Sequence, residues 1–226
     1  MSILKFIDIF LSIRKIIYQP MTKKNNIIIA TGDIHGSISA LNLLLSKIES
    51  HYSLKKVKLL FLGDYSDRGE NTSAVLDRLI KLKEEFQSSV FLMGNHEEMI
   101  LAGIPFEISG FNISHRQMNF IRSLKLFYKS ENFVFVHGGI PAKHQSPESV
   151  SPHDLVWAYG PWPGYAGPKV ICGHLPEKEV RDTGTSLCID TGCCFKMYGT
   201  LTAAVLNDNT GKTMELIQVE NPIFNV

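Results

Sequence analysis

The chain has 226 residues, 44% of them hydrophobic and 20% charged, which is the composition of a globular domain with a large core and excludes a disordered protein. The formal net charge of +1 gives no overall electrostatic argument for binding nucleic acid. All four cysteines lie in the last third of the chain and form no CxxC pair, which favours reduced thiols in a cytoplasmic protein over a disulfide framework.

Residues 1–26 form an apolar extension ahead of a domain that we assign to residues 27–226. Charged side chains interrupt the extension at Lys5, Asp8, Arg14 and Lys15. This pattern fits neither a signal peptide nor a membrane-spanning helix well, and it predicts an amphipathic helix with a broad apolar face. That face either packs on its own domain, mediates self-association, or places residues 1–20 on an anionic membrane as a peripheral contact. Basic residues that would help in the last case are Arg14, Lys15, Lys23 and Lys24.

The first half of the domain alternates strands with helices. The segments NIIIATG, VKLLFLGD and SVFLMGN are predicted strands. Between them, apolar residues recur at helical spacing from Ser37 to Ile48, with Ser37 as the expected N-cap, and from Thr72 to Phe86. This βαβαβ order predicts a parallel sheet with right-handed crossovers.

The second half of the domain is predicted to be rich in short strands. A helix is expected near residues 115–127, followed by the strand NFVFVHGG and then an irregular, proline-rich region at residues 141–168. The segments KVICGH, SLCID, LTAAVLN and TMELIQV follow as strands. Their close spacing predicts a meander that joins or faces the first sheet.

Five strands end in clusters of glycine with aspartate, asparagine or histidine. In chain order the clusters are GDIHG, GDYSDRG, GNHE, HGG and GH. One such cluster is usually a turn or a helix cap, but five at the ends of strands that share a crevice indicate a site. Carboxylate, imidazole and amide ligands suit manganese, iron or zinc, and so many ligands suit two ions that share a carboxylate. Hydrolysis of phosphate esters is the chemistry typical of such a pair.

These motifs, in this order, resemble the calcineurin-like metallophosphoesterases over about residues 27–208. The DRG ending of GDYSDRG places the resemblance in the phosphoprotein phosphatase group, which includes bacterial serine/threonine phosphatases and symmetrical diadenosine tetraphosphatases. The resemblance implies an α/β (α+β) fold, a four-layer sandwich of two mixed sheets flanked by helices. A dinuclear site is then expected at the carboxyl ends of the strands, with two manganese ions, or iron, zinc or nickel in their place.

The resemblance also implies a role for each motif residue. The implied metal ligands are Asp33, His35, Asp64, Asn95, His137 and His174. Asp64 would bridge the two ions. His96 would be the general acid that protonates the leaving group, and Asp67 would orient it. Arg68 would bind the phosphate with Asn95, since a guanidinium can contact two phosphate oxygens at once.

One position departs from the family pattern. Bacterial relatives carry an arginine shortly after the tryptophan of the segment DLVWAYG, where this chain has Ala158 and Tyr159. We therefore expect Tyr159 at the substrate, with Arg181 as the first candidate for a replacement cation and Arg116 or Lys169 as the others.

Three further acidic residues near these motifs are interpreted as structural. Glu97 and Glu98 are expected to cap or neutralise the start of the helix that follows GNHE. Asp190 is expected to support a turn in the segment IDTG.

The sequence thus predicts a metal-dependent phosphoric ester hydrolase, specifically a serine/threonine protein phosphatase that uses metal-bound hydroxide. One alternative is a symmetrical dinucleoside tetraphosphatase, and another is a catalytically weak phosphate-binding module. Expected partners are a phosphoprotein or a dinucleoside polyphosphate, without nucleic acid. The expected location is the cytoplasm, with peripheral membrane contact through residues 1–20 as an addition.

Overall fold

The structure is a computed structural model that describes residues 26–104, 112–141, 146–159 and 165–224. The predicted amphipathic helix of the N-terminal extension lies outside these residues. Among the helices that are described, none combines the length and the hydropathy needed to cross a membrane.

The first half of the chain forms the predicted βαβαβ unit. Its elements are β1 (Ile27–Thr31), α1 (Ile38–His51), β2 (Lys58–Phe61), α2 (Thr72–Glu85) and β3 (Val90–Phe91). The three strands are parallel, with Ala30 opposite Leu60 and Leu60 opposite Val90. Both helices bury the predicted apolar stripe, and Asn71 begins α2 by accepting a hydrogen bond from the Ala74 backbone.

In the residues that the structure describes, the second half adds three helices and seven strands. These are α3 (Asn95–Ala102), α4 (His115–Arg122), β4 (Phe127–Lys129), β5 (Phe133–Val136), α5 (Pro152–Trp157), β6 (Lys169–Cys172), β7 (Arg181–Asp182), β8 (Ser186–Cys188), β9 (Thr200–Asn207) and β10 (Lys212–Glu220), with 3-10 turns at Pro147–Ser149 and Pro222–Phe224. One sheet has the order β10-β9-β1-β2-β3, and the other has the order β4-β5-β6-β8-β7. Both sheets mix parallel and antiparallel pairs.

The predicted meander is divided between the two sheets. The strands β9 and β10 form a hairpin that joins the first sheet antiparallel to β1, as the prediction allowed. The strands β6 and β8 instead pair parallel to β5 in the second sheet. Parallel strands are covered on both faces, which explains why Val170, Ile171 and Cys172 of β6 and all three residues of β8 are buried without alternation.

Two predicted boundaries were wrong. The helix expected to reach Phe127 ends at Arg122, because Phe127 pairs with Val136 across an antiparallel ladder. The region expected to be irregular contains α5, whose start is marked by Pro152 at the first helical position and by the Ser151 hydroxyl, which accepts from the Asp154 backbone.

The core lies in layers on both sides of each sheet. Alternate residues of the first sheet, such as Ile28 and Leu60, pack against Phe133 and Phe135 of the second. The residues between them, such as Ile29, face α1 and α2. On its other face the second sheet packs against α5 through Leu155 and neighbours. This confirms the predicted α/β sandwich of two mixed sheets flanked by helices, and it brings the strand ends of both sheets to one edge.

Candidate metal centre

Five predicted ligand loops converge where the two sheets meet. Asp33 and Asp64 follow β1 and β2, and the backbone N–H groups of Ile34 and His35 donate to the Asp64 carbonyl at 3.1 and 2.8 Å. His137 follows β5 in the other sheet, and its Nδ1 donates to the Leu62 carbonyl at 3.1 Å. The loops therefore hold one another by backbone contacts, and the ligands do not depend on long flexible side chains.

One group of ligand atoms surrounds Asn95. Its Oδ1 lies 3.0 Å from His137 Nε2 and 3.0 Å from His174 Nδ1, and His137 Nε2 lies 3.4 Å from Asp64 Oδ1. Because His137 Nδ1 donates to a carbonyl, its Nε2 carries the lone pair in the neutral ring and can bind a metal. These four residues match the predicted ligands of one ion.

A second group lies on the other side of Asp64. His35 Nε2 is 3.4 Å from Asp64 Oδ2, and His35 Nδ1 donates to the Ser66 carbonyl at 3.0 Å. The ligand-capable atoms of His35, Asp64 and His96 lie within 4.8 Å of one another, as do those of Asp64, His137 and His174. Asp64 is thus shared between the two groups, in the bridging position predicted for it.

The Asp33 carboxylate tests whether cations fit this site. Its Oδ2 accepts from the His174 backbone at 3.0 Å, whereas its Oδ1 is buried without a hydrogen-bond partner. A buried carboxylate oxygen without a donor is costly, and a cation would satisfy it. Glycine makes the approach possible, because a Cβ on Gly173 would collide with this carboxylate. The residues therefore fit a pair of divalent ions.

The electrostatics of the ligands support the same conclusion. Burial lowers the pKa of His35 to about 3 and that of His174 to about 4, so both rings are neutral and able to bind metal at neutral pH. Burial tends to raise the pKa of Asp64, but the nearby imidazoles, His137 foremost, outweigh it and hold the pKa below its usual value. Burial, with Asp190 and Asp64 close by, raises the pKa of Asp33. Cations would relieve this crowding of carboxylates.

The predicted catalytic residues border the group that contains His35. His96 Nδ1 lies 3.1 Å from Asp67 Oδ2, and both side chains are buried. The Arg68 guanidinium lies 3.0 Å from His35 Nε2 and packs over the Phe195 ring at 5.3 Å. The Asp67 carboxylate is therefore close enough to the His96 imidazole to act as its charge partner.

Backbone strain is concentrated at these residues. In the described part of the chain, the non-glycine residues with positive φ are His35, Asp64, Asp67, Arg68 and His174. All five belong to the predicted site. A left-handed conformation of a residue other than glycine costs on the order of 1 to 3 kcal/mol and persists where the surroundings impose it, typically at functional sites.

Of the residues predicted to contact substrate, Tyr159 lies at the rim of the site, whereas the candidate replacement cations are held in ion pairs. Tyr159 is 59% exposed, and its ring centroid lies 5.0 Å from that of His174, at the rim of the site. The three candidate replacement cations each bind a carboxylate: Arg181 with Glu177 at 2.7 Å, Arg116 with Glu84 at 2.7 Å, and Lys169 with Asp182 at 2.7 Å. Contact between Arg181 and substrate stays a prediction, and it would require its pair to open.

Glu97 and Glu98 do more than the capping predicted for them. Glu97 does accept from the Gly94 N–H at the start of α3, at 3.1 Å, but its carboxylate also accepts from the backbone of Asp64 at 2.8 Å. Glu98 accepts from the indole Nε1 of Trp157, which lies edge-on to His174. The sequence contains no signal for these long-range contacts. Asp190 accepts from the Gly192 backbone at 3.0 Å, which confirms the predicted turn.

Comparison with known proteins agrees with this geometry. Residues 27–208 match the family model for calcineurin-like phosphoesterases. Shewanella-like protein phosphatase 1 of Plasmodium berghei is 32% identical over 145 residues, 52% of this chain and 40% of that protein, so the chain spans less than half of its length. The bis(5′-nucleosyl)-tetraphosphatase PrpE [asymmetrical] of Oceanobacillus iheyensis is 26% identical over 211 residues, covering 73% of this chain and 83% of that protein.

The fold is likewise similar to solved structures. The cold-active protein-tyrosine phosphatase of a psychrophilic Shewanella species superimposes with a TM-score of 0.64 at 17% sequence identity, over 91% of this chain and 84% of that chain. Together with the match of residues 27–208, the two ligand groups that share Asp64 lead to one conclusion: this chain belongs to the calcineurin-like phosphoesterase family.

Proposed function

We propose that this protein is a metal-dependent phosphoric ester hydrolase whose main substrates are phosphoserine and phosphothreonine proteins. The observation that carries the proposal is the pair of groups of ligand-capable side chains that share Asp64. One of these groups includes His96, whose Nδ1 lies 3.1 Å from Asp67 Oδ2. The protein phosphatase named among the relatives supports the choice of substrate.

Two divalent ions, with manganese as our first choice, would be held by the six predicted ligands. Asp33 and His35 would hold one ion, Asp64 would hold both, and the others would hold the second: Asn95, His137 and His174. Bound there, the ions would supply a nucleophile from water at neutral pH and would neutralise charge on the phosphoryl group.

The remaining residues would position the substrate and move one proton. The Arg68 guanidinium lies beside the group that contains His35 and offers several N–H donors to phosphate oxygens. His96 would donate a proton to the oxygen of the leaving serine or threonine. Asp67 would hold the imidazole in the orientation needed and stabilise its protonated form.

The proposal is tested by hydrolysis of a phosphoserine peptide and of p-nitrophenyl phosphate. Chelator-treated protein is assayed before and after manganese is returned, next to Asp64→Asn and the control Glu85→Gln, whose carboxylate pairs with Lys81 on the surface. We expect activity that requires metal, is lost at least ~100-fold in Asp64→Asn, and is unchanged in the control, since exposed ion pairs contribute little. Metal-loaded wild type without turnover of either substrate would refute the proposal and would favour the phosphate-binding module.

Hydrolysis of a dinucleoside tetraphosphate is a second candidate, favoured by the tetraphosphatase among the relatives. Chromatography of the products from diadenosine tetraphosphate separates the possible outcomes. Two molecules of ADP would indicate symmetrical cleavage, ATP with AMP would indicate asymmetrical cleavage, and no nucleotide product would leave the protein phosphatase as the only candidate of the two.

A further inference from the structure

Glu97 is a fully buried carboxylate that belongs to neither ligand group. It accepts five hydrogen bonds: from the backbone N–H groups of Asp64, Tyr65, Ser66 and Gly94 at 2.8, 2.9, 3.1 and 3.1 Å, and from the Ser66 hydroxyl at 2.7 Å. Four of the five come from three consecutive residues that begin with the shared ligand Asp64. The remaining bond, from Gly94, is enough for a helix cap.

The start of α3 therefore holds Asp64 in two ways. Glu97 binds the Asp64 backbone, and the His96 N–H donates to Asp64 Oδ1 at 3.0 Å. Asp64 has a φ of +48°, a conformation that costs energy unless the surroundings impose it. A Cβ on Gly94 would collide with the Asp64 carboxylate, so the two loops lie in direct contact. The bonds from Glu97 supply the restraint that this strained residue needs.

Only a carboxylate fits this position. Glu97 faces donors on both oxygens, since Oε2 accepts from Asp64 and Gly94 while Oε1 accepts from Tyr65 and Ser66. A glutamine would bring an NH₂ group toward N–H groups and would leave at least two buried donors without an acceptor. The charge also lies next to Asp64, which is costly in the metal-free protein and favourable once cations are present.

We propose that Glu97 is a positioning residue that sets the shared ligand Asp64, and through the same loop Asp67 and Arg68, in place before any ion binds. The inference rests on the proposed function, because it concerns the same metal centre. Residues that orient metal ligands through hydrogen bonds typically contribute 10- to 100-fold in metal affinity or activity.

The experiment compares Glu97→Gln with the matched control Glu98→Gln, the neighbouring glutamate on the same helix. Glutamine at 98 keeps an oxygen that can accept the Trp157 indole N–H. Chelator-treated proteins are titrated with manganese by calorimetry and examined by electron paramagnetic resonance, which detects magnetic coupling between two ions that share a ligand. We expect Glu97→Gln to bind manganese at least tenfold more weakly and to lose the coupled signal, while the control stays within about twofold of wild type.

Ser66→Ala is the second variant, in case Glu97→Gln does not fold. It removes one bond to Glu97 without leaving a buried donor, so we expect this variant to fold and to bind manganese a few-fold more weakly than wild type. Manganese affinity within twofold of wild type in Glu97→Gln, or in Ser66→Ala if Glu97→Gln does not fold, with the coupled signal retained, would overturn the inference. Wild type that binds fewer than two ions would overturn the proposed function and this inference together, whereas wild type that binds two ions without turnover would refute the function alone.

Discussion

Asp67 should affect catalysis through His96, and the size of the effect can be derived from the structure. Asp67 Oδ2 lies 3.1 Å from His96 Nδ1, with both side chains buried. At an effective dielectric constant of about 20, opposite unit charges at that distance attract by about 5 kcal/mol. Part of this is offset by the desolvation of the carboxylate, so we expect Asp67→Asn to lose about 3 to 4 kcal/mol of transition-state stabilisation, on the order of 100- to 1,000-fold in kcat.

The assay should distinguish proton transfer from a general loss of activity. A phosphoserine peptide leaves as an alkoxide that needs a proton, whereas p-nitrophenyl phosphate leaves as a stable anion that needs little help. We therefore expect the full loss in kcat with the peptide and a clearly smaller loss with p-nitrophenyl phosphate. KM and bound manganese should change little, because Asp67 is not among the predicted ligands.

Two results would contradict this reasoning. Equal losses on both substrates would mean that the His96–Asp67 pair does not protonate the leaving group. Loss of bound manganese in Asp67→Asn would mean that Asp67 acts by supporting the metal centre. The control is Glu85→Gln, which removes an exposed carboxylate 3.8 Å from Lys81 and should leave both rates unchanged.

Three further predictions concern the rim, the acid stability and the extension. Tyr159→Arg should raise kcat/KM for p-nitrophenyl phosphate tenfold or more, since a charged contact to the phosphoryl oxygens is worth about 2 to 4 kcal/mol; unchanged kinetics would show that the ring does not border the substrate. Burial lowers the pKa of His35 to about 3 in the folded protein, whereas a histidine in the unfolded chain has a pKa of about 6.5. Between these two values the unfolded chain binds a proton at His35 and the folded protein does not. The free energy of unfolding of the metal-free protein should therefore fall as pH drops from about 6.5 toward 3. Urea unfolding at pH 7 and 4.5 should show a smaller fall in His35→Asn, and an equal fall would contradict the shift. The full chain should sediment with anionic liposomes while a chain starting at Lys23 should not, and equal sedimentation would exclude membrane contact through residues 1–20.

The fold and the ligands differ in how they are encoded along the chain. The βαβαβ unit was predictable because helical spacing and apolar runs are local patterns, and α1 and α2 bury the expected faces. The ligand motifs were predictable for a similar reason. Each polar residue follows its strand directly, and the strand places it at the edge where the others meet.

Local sequence patterns could not predict which sheet each of the later strands joins. The segments KVIC and LTAAVLN look alike as short apolar runs, but one pairs with β5 in the second sheet and the other pairs with β1 in the first. Sheet membership depends on pairing between strands far apart in the chain, and no single segment specifies it. The strand at Phe127 was missed for the same reason, since its partner is Val136 across a turn.

The sequence by itself determined which residues can bind metal, because their chemistry and their position after a strand are both written in short motifs. Only the tertiary structure decided what the residues beside those motifs do. Glu97 is adjacent to His96 in sequence, yet four of its five hydrogen bonds reach Asp64, Tyr65 and Ser66, some thirty positions earlier in the chain. Likewise, Arg116 is a plausible cation by type alone, and its ion pair with Glu84, 32 positions earlier in the chain, appears only once the chain is folded. A residue type specifies which interactions are available, and the packing of distant segments selects the ones that form.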